Sequence, residues 1–247
     1  MPDQPAWTSR DLTDPHAAPD KAKRVARMFA AIAPSYDLNN RVHSLGRDQA
    51  WRRAAVKLAD LQPSDVVADV ACGTGDLSMA FARAGAKRVV GVDFTPAMLD
   101  VARQKRRRGQ RIGYAAGDAM RLPLPSASVD VVSIAFGIRN VADPAAAMRE
   151  FARVLRPGGR IIVLEFSLPE SRALRGAYNF YFRQVLPRTA SLVARDRSGA
   201  YRYLPESVNT FIDRPGMVRL MEEAGFGEVT LRPMTFGIAV AYRGVRG

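Results

Sequence analysis

The chain has 247 residues, 47% hydrophobic and 25% charged, with a formal net charge of +13. This composition suits a soluble globular protein with one large α/β domain, and no apolar run approaches the ~20 residues that span a bilayer. A single cysteine excludes an internal disulfide and a multi-cysteine zinc site, while the positive charge permits attraction to nucleic acid or an anionic membrane, or is a solvated arginine-rich surface.

Residues 1–20 are polar, rich in Pro and Asp, and lack the apolar core of a signal peptide. They are expected to form a flexible tail on a protein that stays in the cytoplasm. From Lys21, the residues Val25, Met28, Phe29 and Ile32 fall at helical spacing and predict an amphipathic helix before Pro34. The segment to about residue 60 contains Tyr36-Asp37-Leu38-Asn39-Asn40, His43-Ser44-Leu45-Gly46 and Trp51-Arg52. It precedes the first strand and is expected to cover one edge of the sheet. Tyr36 and Asp37 there face a cofactor or substrate, or serve as a packed ring and a capping carboxylate.

The stretch Asp65 to Asp93 organises the rest. Val66 to Ala71 is an apolar run suited to a buried parallel strand. It breaks into Cys72-Gly73-Thr74-Gly75-Asp76, a helix follows from Leu77 to Ala84, and a second strand from Arg88 ends on Asp93. Glycines at the first strand-to-helix turn let the backbone approach a ligand closely. Asp93 lies 20 positions after Gly73, at a strand tip where a carboxylate accepts from both hydroxyls of a ribose. A dinucleotide site would want glycine where Ser78 stands, and Asp76 at the helix start would repel a pyrophosphate. Asp69 adds negative charge beneath the turn. Such charge suits a cofactor with an ammonium and a sulfonium. The stretch resembles the first motif of Rossmann-like S-adenosylmethionine-dependent methyltransferases, which often have glycine where this chain has Ala71. Cys72 sits inside the turn and is not placed to attack a substrate.

Thr95-Pro96 caps the next helix, whose end at Lys105-Arg106-Arg107-Arg108 complements the helix dipole. A third strand, 111–116, ends at Gly117-Asp118-Ala119. Asp118 can accept from an adenine amino group and the Ala119 N–H can donate to a ring nitrogen; a plain turn is the alternative. A fourth strand, 129–136, leads into Gly137-Ile138-Arg139-Asn140-Val141. Asp143-Pro144 caps a helix, and Arg156-Pro157-Gly158-Gly159 turns into a fifth strand at 160–166. Residues 170–212 read as a helical insertion rich in aromatics that stands above the sheet edge and walls a pocket. Strands at 228–232 and 237–242 close the fold as an antiparallel pair. The expected architecture is a single α/β domain over 21–247, Rossmann-like, with a mainly parallel seven-stranded sheet, a final antiparallel strand and helical insertions.

Four stretches together resemble the quinone-ring C-methyltransferases, that is, the demethylmenaquinone methyltransferases and the 2-methoxy-6-polyprenyl-1,4-benzoquinol methylases. They are residues 36–46, 69–77, 136–141 and 203–207. The resemblance implies S-adenosylmethionine as cofactor, held by Thr74, Asp93, Asp118 and Ala119, with Asp69 orienting the turn or the cofactor ammonium. It implies C-methylation of a polyprenyl quinol, demethylmenaquinol first and a benzoquinol of ubiquinone synthesis second; an RNA or other small-molecule methyltransferase is the remaining alternative. Arg139 and Asn140 are the expected catalytic residues, Arg139 stabilising a phenolate or positioning a water, not removing the proton itself, because arginine stays protonated. Tyr36 and Tyr203 are expected at the substrate. The N-P-P-Y signature of amine methylation is absent after the fourth strand, so no nucleic-acid partner is expected. No metal is required. Peripheral association with an anionic membrane surface is expected, and a homo-oligomer is left open.

Overall fold

The apolar runs form a seven-stranded sheet in order β3-β2-β1-β4-β5-β7-β6. In the computed structural model, which describes residues 6–7, 11–186, 188–189 and 199–247, five strands are parallel: β1 (Val66–Val70), β2 (Arg88–Asp93), β3 (Ile112–Ala116), β4 (Val129–Ala135) and β5 (Leu155–Phe166). β7 (Ala239–Arg246) runs antiparallel between β5 and β6 (Phe226–Met234). Both final strands are longer than the expected 228–232 and 237–242.

Two expected boundaries differ for backbone reasons. β5 begins at Leu155, because the Arg156-Pro157-Gly158-Gly159 segment is an irregularity within the ladder. Leu155 pairs with Val129 before the register shifts to Val131 opposite Arg160, and Gly158 sits at φ +73°. β4 stops at Ala135 because Phe136 adopts φ +57°, outside the extended region.

Helices cover both faces of the sheet. On one face α3 (Arg47–Leu58) and α4 (Asp76–Arg83) bury Trp51, Ala55, Leu77 and Phe81 against Val67, Val89 and Val131. On the other, α6 (Pro144–Val154) and α9 (Arg214–Glu223) bury Met148, Phe151, Met217 and Met221 against Val70, Ile134 and Val163. A third cluster lies over the carboxyl edge of the sheet. It joins α1 (Lys21–Ile32), α5 (Pro96–Lys105) and α8 (Ala200–Asn209) through Met28, Ile32, Met98, Tyr201 and Tyr203. α2 (Tyr36–His43) continues this cover. α7 (Arg172–Phe180), the wider π-type turn Tyr181–Val185 and α8 are the described helical elements of the expected insertion, of which residues 187 and 190–198 lie outside the described residues.

The expected flexible tail is corrected where it is described. Trp7 is fully buried, stacked on Tyr203 with ring centroids 4.6 Å apart, and the Arg24 guanidinium lies 5.7 Å from the Trp7 centroid. Arg24 also bonds Asp11 at 2.7 Å, and the His16 ring meets the Ser207 carbonyl at 2.9 Å. A single large aromatic set among polar residues anchors this segment. Truncating a buried tryptophan costs about 3–5 kcal/mol, so Trp7→Ala should lower the unfolding free energy on that scale in urea titration. A change of only a few tenths of a kcal/mol would mean that the segment is not docked in solution.

Candidate active site

Parallel strands end together, and that edge gathers the turn after β1, Asp93, the Gly117-Asp118-Ala119 turn and the segment after β4. The turn is shaped by three successive left-handed departures, Ala71 (φ +50°), Gly73 (φ +53°) and Gly75 (φ +81°). A Cβ built on Gly73 meets nothing within 4 Å, so its bare face borders open space. Asp93 braces this turn: one carboxylate oxygen accepts from the Gly73 N–H at 2.7 Å and the other from the Thr95 N–H at 2.8 Å. Burial raises the Asp93 pKa against these hydrogen bonds.

Asp69 lies fully buried beneath the turn. Ser78 Oγ donates to one of its oxygens at 2.6 Å and Ser133 Oγ to the other at 2.9 Å. Desolvation pushes its pKa up to about 6. Both oxygens are engaged and Asp69 lines neither cavity described below. Its carboxylate ties β1 to α4 through Ser78 and to β4 through Ser133. Cys72 also sits where burial pushes the thiol pKa up, opposite to what a thiolate nucleophile needs.

Two cavities meet above this edge. The first, about 110 Å³, is lined by Gly73, Asp93, Asp118, Ala119, Met120 and Asn140, with Val25, Phe29 and Tyr36 closing it from above. The second, about 370 Å³, is mostly apolar and aromatic, lined among others by Phe29, Tyr36, Trp51, Phe166, Tyr178, Phe182 and Tyr203, with Arg52 and Arg139 in its wall. Phe29, Tyr36 and Phe136 line both. Phe136 packs 4.5 Å from Phe166 and 6.1 Å from Trp51, centroid to centroid.

Arg139 is 5% exposed and is not a surface cation. Its Nη1 donates to Glu165 Oε1 at 2.6 Å and to the Phe136 carbonyl at 2.8 Å, and Nε reaches Ser207 Oγ at 3.3 Å. Among the described residues its Nη2 has no hydrogen-bond partner. Glu165 is 2% exposed, and burial raises its pKa despite Arg139. Asn140 donates to the Phe136 carbonyl at 3.2 Å and accepts from the Tyr203 hydroxyl at 2.8 Å. Asn140 therefore reaches the first cavity while its bonded partner Tyr203 lines the second.

Thr74 departs from expectation. It lines neither cavity: its hydroxyl donates to Asp37 Oδ1 at 2.6 Å. Lys105 closes the cluster by bonding Asp37 and, at 2.6 Å, Asp76. Burial alone would raise the Asp76 pKa; Lys105, the charge of Arg52 and Gln49 outweigh it and hold the carboxyl below its ordinary value. This latch ties α2 to the turn after β1. Asp37 thus serves the latch and lines neither cavity, while Tyr36 beside it faces both.

Among the expected site residues, Asp93, Asp118, Ala119, Asn140 and Tyr36 line the first cavity, and Tyr36, Arg139 and Tyr203 line the second. Sequence reasoning missed Glu165, Lys105 and Arg52. Glu165 had a signal, a lone carboxylate inside the apolar strand β5, where a buried charge needs a partner. Lys105 had none beyond its helix end.

A family model of the ubiE/COQ5 methyltransferase family matches residues 18–246. The chain belongs to this family. It is 48% identical to a demethylmenaquinone methyltransferase of Deinococcus radiodurans over 222 residues, covering 89% of this chain and 91% of that protein. It is 42% identical to the ubiquinone/menaquinone biosynthesis C-methyltransferase UbiE of Geobacter sulfurreducens, covering 92% of this chain and 90% of that protein. Among solved structures, an S-adenosylmethionine-dependent methyltransferase of Thermotoga maritima, titled a possible histamine N-methyltransferase, aligns at TM-score 0.63 with 21% identity, over 90% of this chain and 99% of that one; this shows the shared fold.

The methyltransferases of this family are of the S-adenosylmethionine-dependent class, and the first cavity fits that cofactor. Buried Asp93 on its wall suits ribose hydroxyls, the Asp118-Ala119 turn suits an adenine edge, and bare Gly73 leaves room between them.

The state of Asp69 can be checked through stability. Its folded pKa of about 6 lies above the ordinary 3.8, so folding favours the protonated carboxyl. This contribution is fully present below about pH 4 and is lost as pH rises through about 6. The stability of the parent relative to Asp69→Asn should fall by about 2 kcal/mol between pH 4 and 7. Chemical denaturation across that range measures it, and parallel profiles would show an unshifted carboxyl.

Proposed function

We propose that this methyltransferase uses S-adenosylmethionine to methylate a ring carbon of a polyprenylated quinol, converting demethylmenaquinol to menaquinol. One observation carries the reading: a large aromatic cavity adjoins the Asp93 cavity across Phe136, and the buried cation Arg139 stands in its wall. A polar or nucleic-acid acceptor has little to recognise among such walls, whereas a fused aromatic diol suits them. The demethylmenaquinone methyltransferase name carried by the 48% identical relative favours the naphthoquinol over a benzoquinol.

The bound cofactor supplies an electrophilic methyl on a sulfonium. Asp93 would accept from its ribose hydroxyls, Asp118 and the Ala119 N–H would take its adenine edge, and Asp69 would hold the turn through Ser78 and Ser133. Thr74 would act through the latch, keeping α2 and its Tyr36 over both cavities. On the acceptor, negative charge gathers on a hydroxyl oxygen as the adjacent ring carbon becomes the nucleophile, and the ring afterwards loses that carbon's proton. Arg139 would stabilise this oxygen; its charge is fixed in place by Glu165. Asn140 and Tyr203, bonded to each other, would set the ring against the cofactor cavity. Holding the reactants at near-attack geometry can supply roughly 7–11 kcal/mol of barrier reduction.

The pairing with Glu165 dictates how Arg139 is tested. Removing the arginine alone strands a buried carboxylate, at about 3–5 kcal/mol. The neutral double variant Arg139→Gln/Glu165→Gln avoids that. With demethylmenaquinol as acceptor, its turnover should fall about 100- to 1000-fold, the scale for one lost anion-stabilising donor. Its cofactor affinity by calorimetry should stay within a few-fold of the parent's, whereas Asp93→Ala should weaken that affinity at least about tenfold. Near-parental turnover of the double variant would make Arg139 structural. A parent that methylates no quinol would refute the acceptor class.

The acceptor's prenyl chain belongs in a bilayer, yet among the described residues no helix is long and apolar enough to cross one. Peripheral association with the cytoplasmic face of the membrane is therefore part of the proposal. Leu45 lines the acceptor cavity and is 88% exposed, which puts it at the cavity rim; exposed Leu38 and Val42 on α2 stand near it in sequence, among exposed Arg41 and Arg47. Apolar insertion and cationic attraction act together in such a patch. Flotation with anionic vesicles should show binding at low salt that weakens as salt is raised. Absence of binding at low salt, with or without quinone in the vesicles, would count against it.

A further inference from the structure

Arg52 is a cation in the wall of the acceptor cavity that no carboxylate among the described residues contacts; its charge reaches Asp69 and Asp76 only through space. It lies on the buried stripe of α3, with Asp48, Trp51, Ala55 and Val56, and is only 7% exposed. Its Nε and Nη1 are buried and make no hydrogen bond, and no carboxylate among the described residues pairs with it. The nearby acids are committed elsewhere. Asp69 accepts from Ser78 and Ser133, Asp76 from Lys105 and Gln49, and Asp48 from Ser44 and Gln49. The guanidinium lies 5.2 Å from the ring centroid of Phe136, and Arg52 lines the cavity that also holds Arg139.

An arginine side chain stays cationic at any working pH, and leaving its donors buried and unbonded is costly. Such a group is retained where a ligand completes it. We propose that Arg52 binds a ring oxygen of the quinol acceptor through its guanidinium. This rests on the acceptor reading given above. Arg139 is held in place by its ion pair with Glu165, and Arg52 adds a second cation to the cavity wall, one that no carboxylate among the described residues contacts. It therefore favours the ionised form of a hydroxyl bound to it, and it orients a ring lying among Phe136, Phe166 and Trp51. An acceptor without a ring oxygen would leave Arg52 unsatisfied, which makes the residue a determinant of specificity as well as affinity.

A functional and a structural role for Arg52 predict opposite stability changes. A cation that supports the fold destabilises it when lost. A cation kept for a ligand is a burden on the empty fold, and an apolar side chain of similar length relieves that burden. The test compares Arg52→Met and Arg52→Lys with the parent in three measurements. Thermal unfolding of the ligand-free protein should give Arg52→Met a midpoint equal to or above the parent's. Tryptophan fluorescence quenching by 2-methyl-1,4-naphthoquinone, which is already methylated and cannot turn over, should show about tenfold weaker binding. Steady-state assays with demethylmenaquinol should show kcat/KM about 100-fold lower, partly recovered in Arg52→Lys, with the cofactor KM unchanged. The proposal is overturned if Arg52→Met unfolds several degrees lower and loses cofactor and acceptor together, or if kcat/KM stays within threefold of the parent's. A parent that neither binds the quinone probe nor methylates the quinol refutes the acceptor reading itself, and this proposal with it.

Discussion

The backbone at Phe136 is held where an aromatic residue rarely goes. At φ +57° it costs of order 1–3 kcal/mol, and such strain persists only when the surroundings enforce it. Three hydrogen bonds do so: the Phe136 N–H donates to the Leu164 carbonyl at 2.7 Å, and its own carbonyl accepts from Arg139 at 2.8 Å and Asn140 at 3.2 Å. The consequence is a ring turned off the end of β4 to stand between two cavities, packed at a tilt against Phe166 and faced by Arg52. Arg139 and Asn140 owe their positions to the same carbonyl. The strained residue, the dividing wall and the polar groups beside the acceptor cavity are one construction.

Charge balance at this edge follows from the same economy of partners. Asp37, Asp69, Asp76 and Asp93 crowd around the turn after β1, a concentration that would repel itself if left alone. Each is answered locally: Asp69 by two hydroxyls, Asp93 by two backbone N–H groups, and Asp37 and Asp76 by Lys105. Asp93 spends one lone pair per oxygen on the backbone, so each oxygen keeps acceptor capacity toward the cavity. Glu165 is answered by Arg139. Against this background of paired charges, Arg52 keeps Nε and Nη1 without a hydrogen-bond partner among the described residues.

The fold was legible because its signals are local. Apolar runs of strand length and Gly-rich turns define β1 to β5, and parallel strands carry their ends to one edge whatever the loops do. That is why Asp93, Asp118 and Ala119, picked at strand ends, line one cavity. The pairings were not legible because they join residues distant in sequence through side chains alone. Nothing near Thr74 announces that its hydroxyl turns toward Asp37, 37 positions earlier. Nothing in the polar first 20 residues except a lone tryptophan hints that Trp7 will stack on Tyr203. Arg139 read as a catalytic cation, but its ion pair was not legible, because the partner Glu165 lies 26 positions later on the neighbouring strand.

Ala71 shows how a departure in the motif is accommodated. Its φ of +50° lies in the region where glycine is free of penalty and alanine pays of order 1 kcal/mol. The methyl group also occupies space. A Cβ at Gly137 would come within 2.7 Å of the Ala71 Cβ, and within 3.1 Å of Ile134 Cγ1. Gly137 is therefore required by close packing and not by its own backbone angle: the turn after β1 and the segment after β4 touch through one methyl group and one missing side chain. Both residues line the first cavity. Enlarging either would push the β4 segment away from the turn, carrying Phe136, Arg139 and Asn140 with it. The alanine thus couples the two loops more tightly than glycine would, since it fills the contact that sets the distance between Gly73 and Phe136.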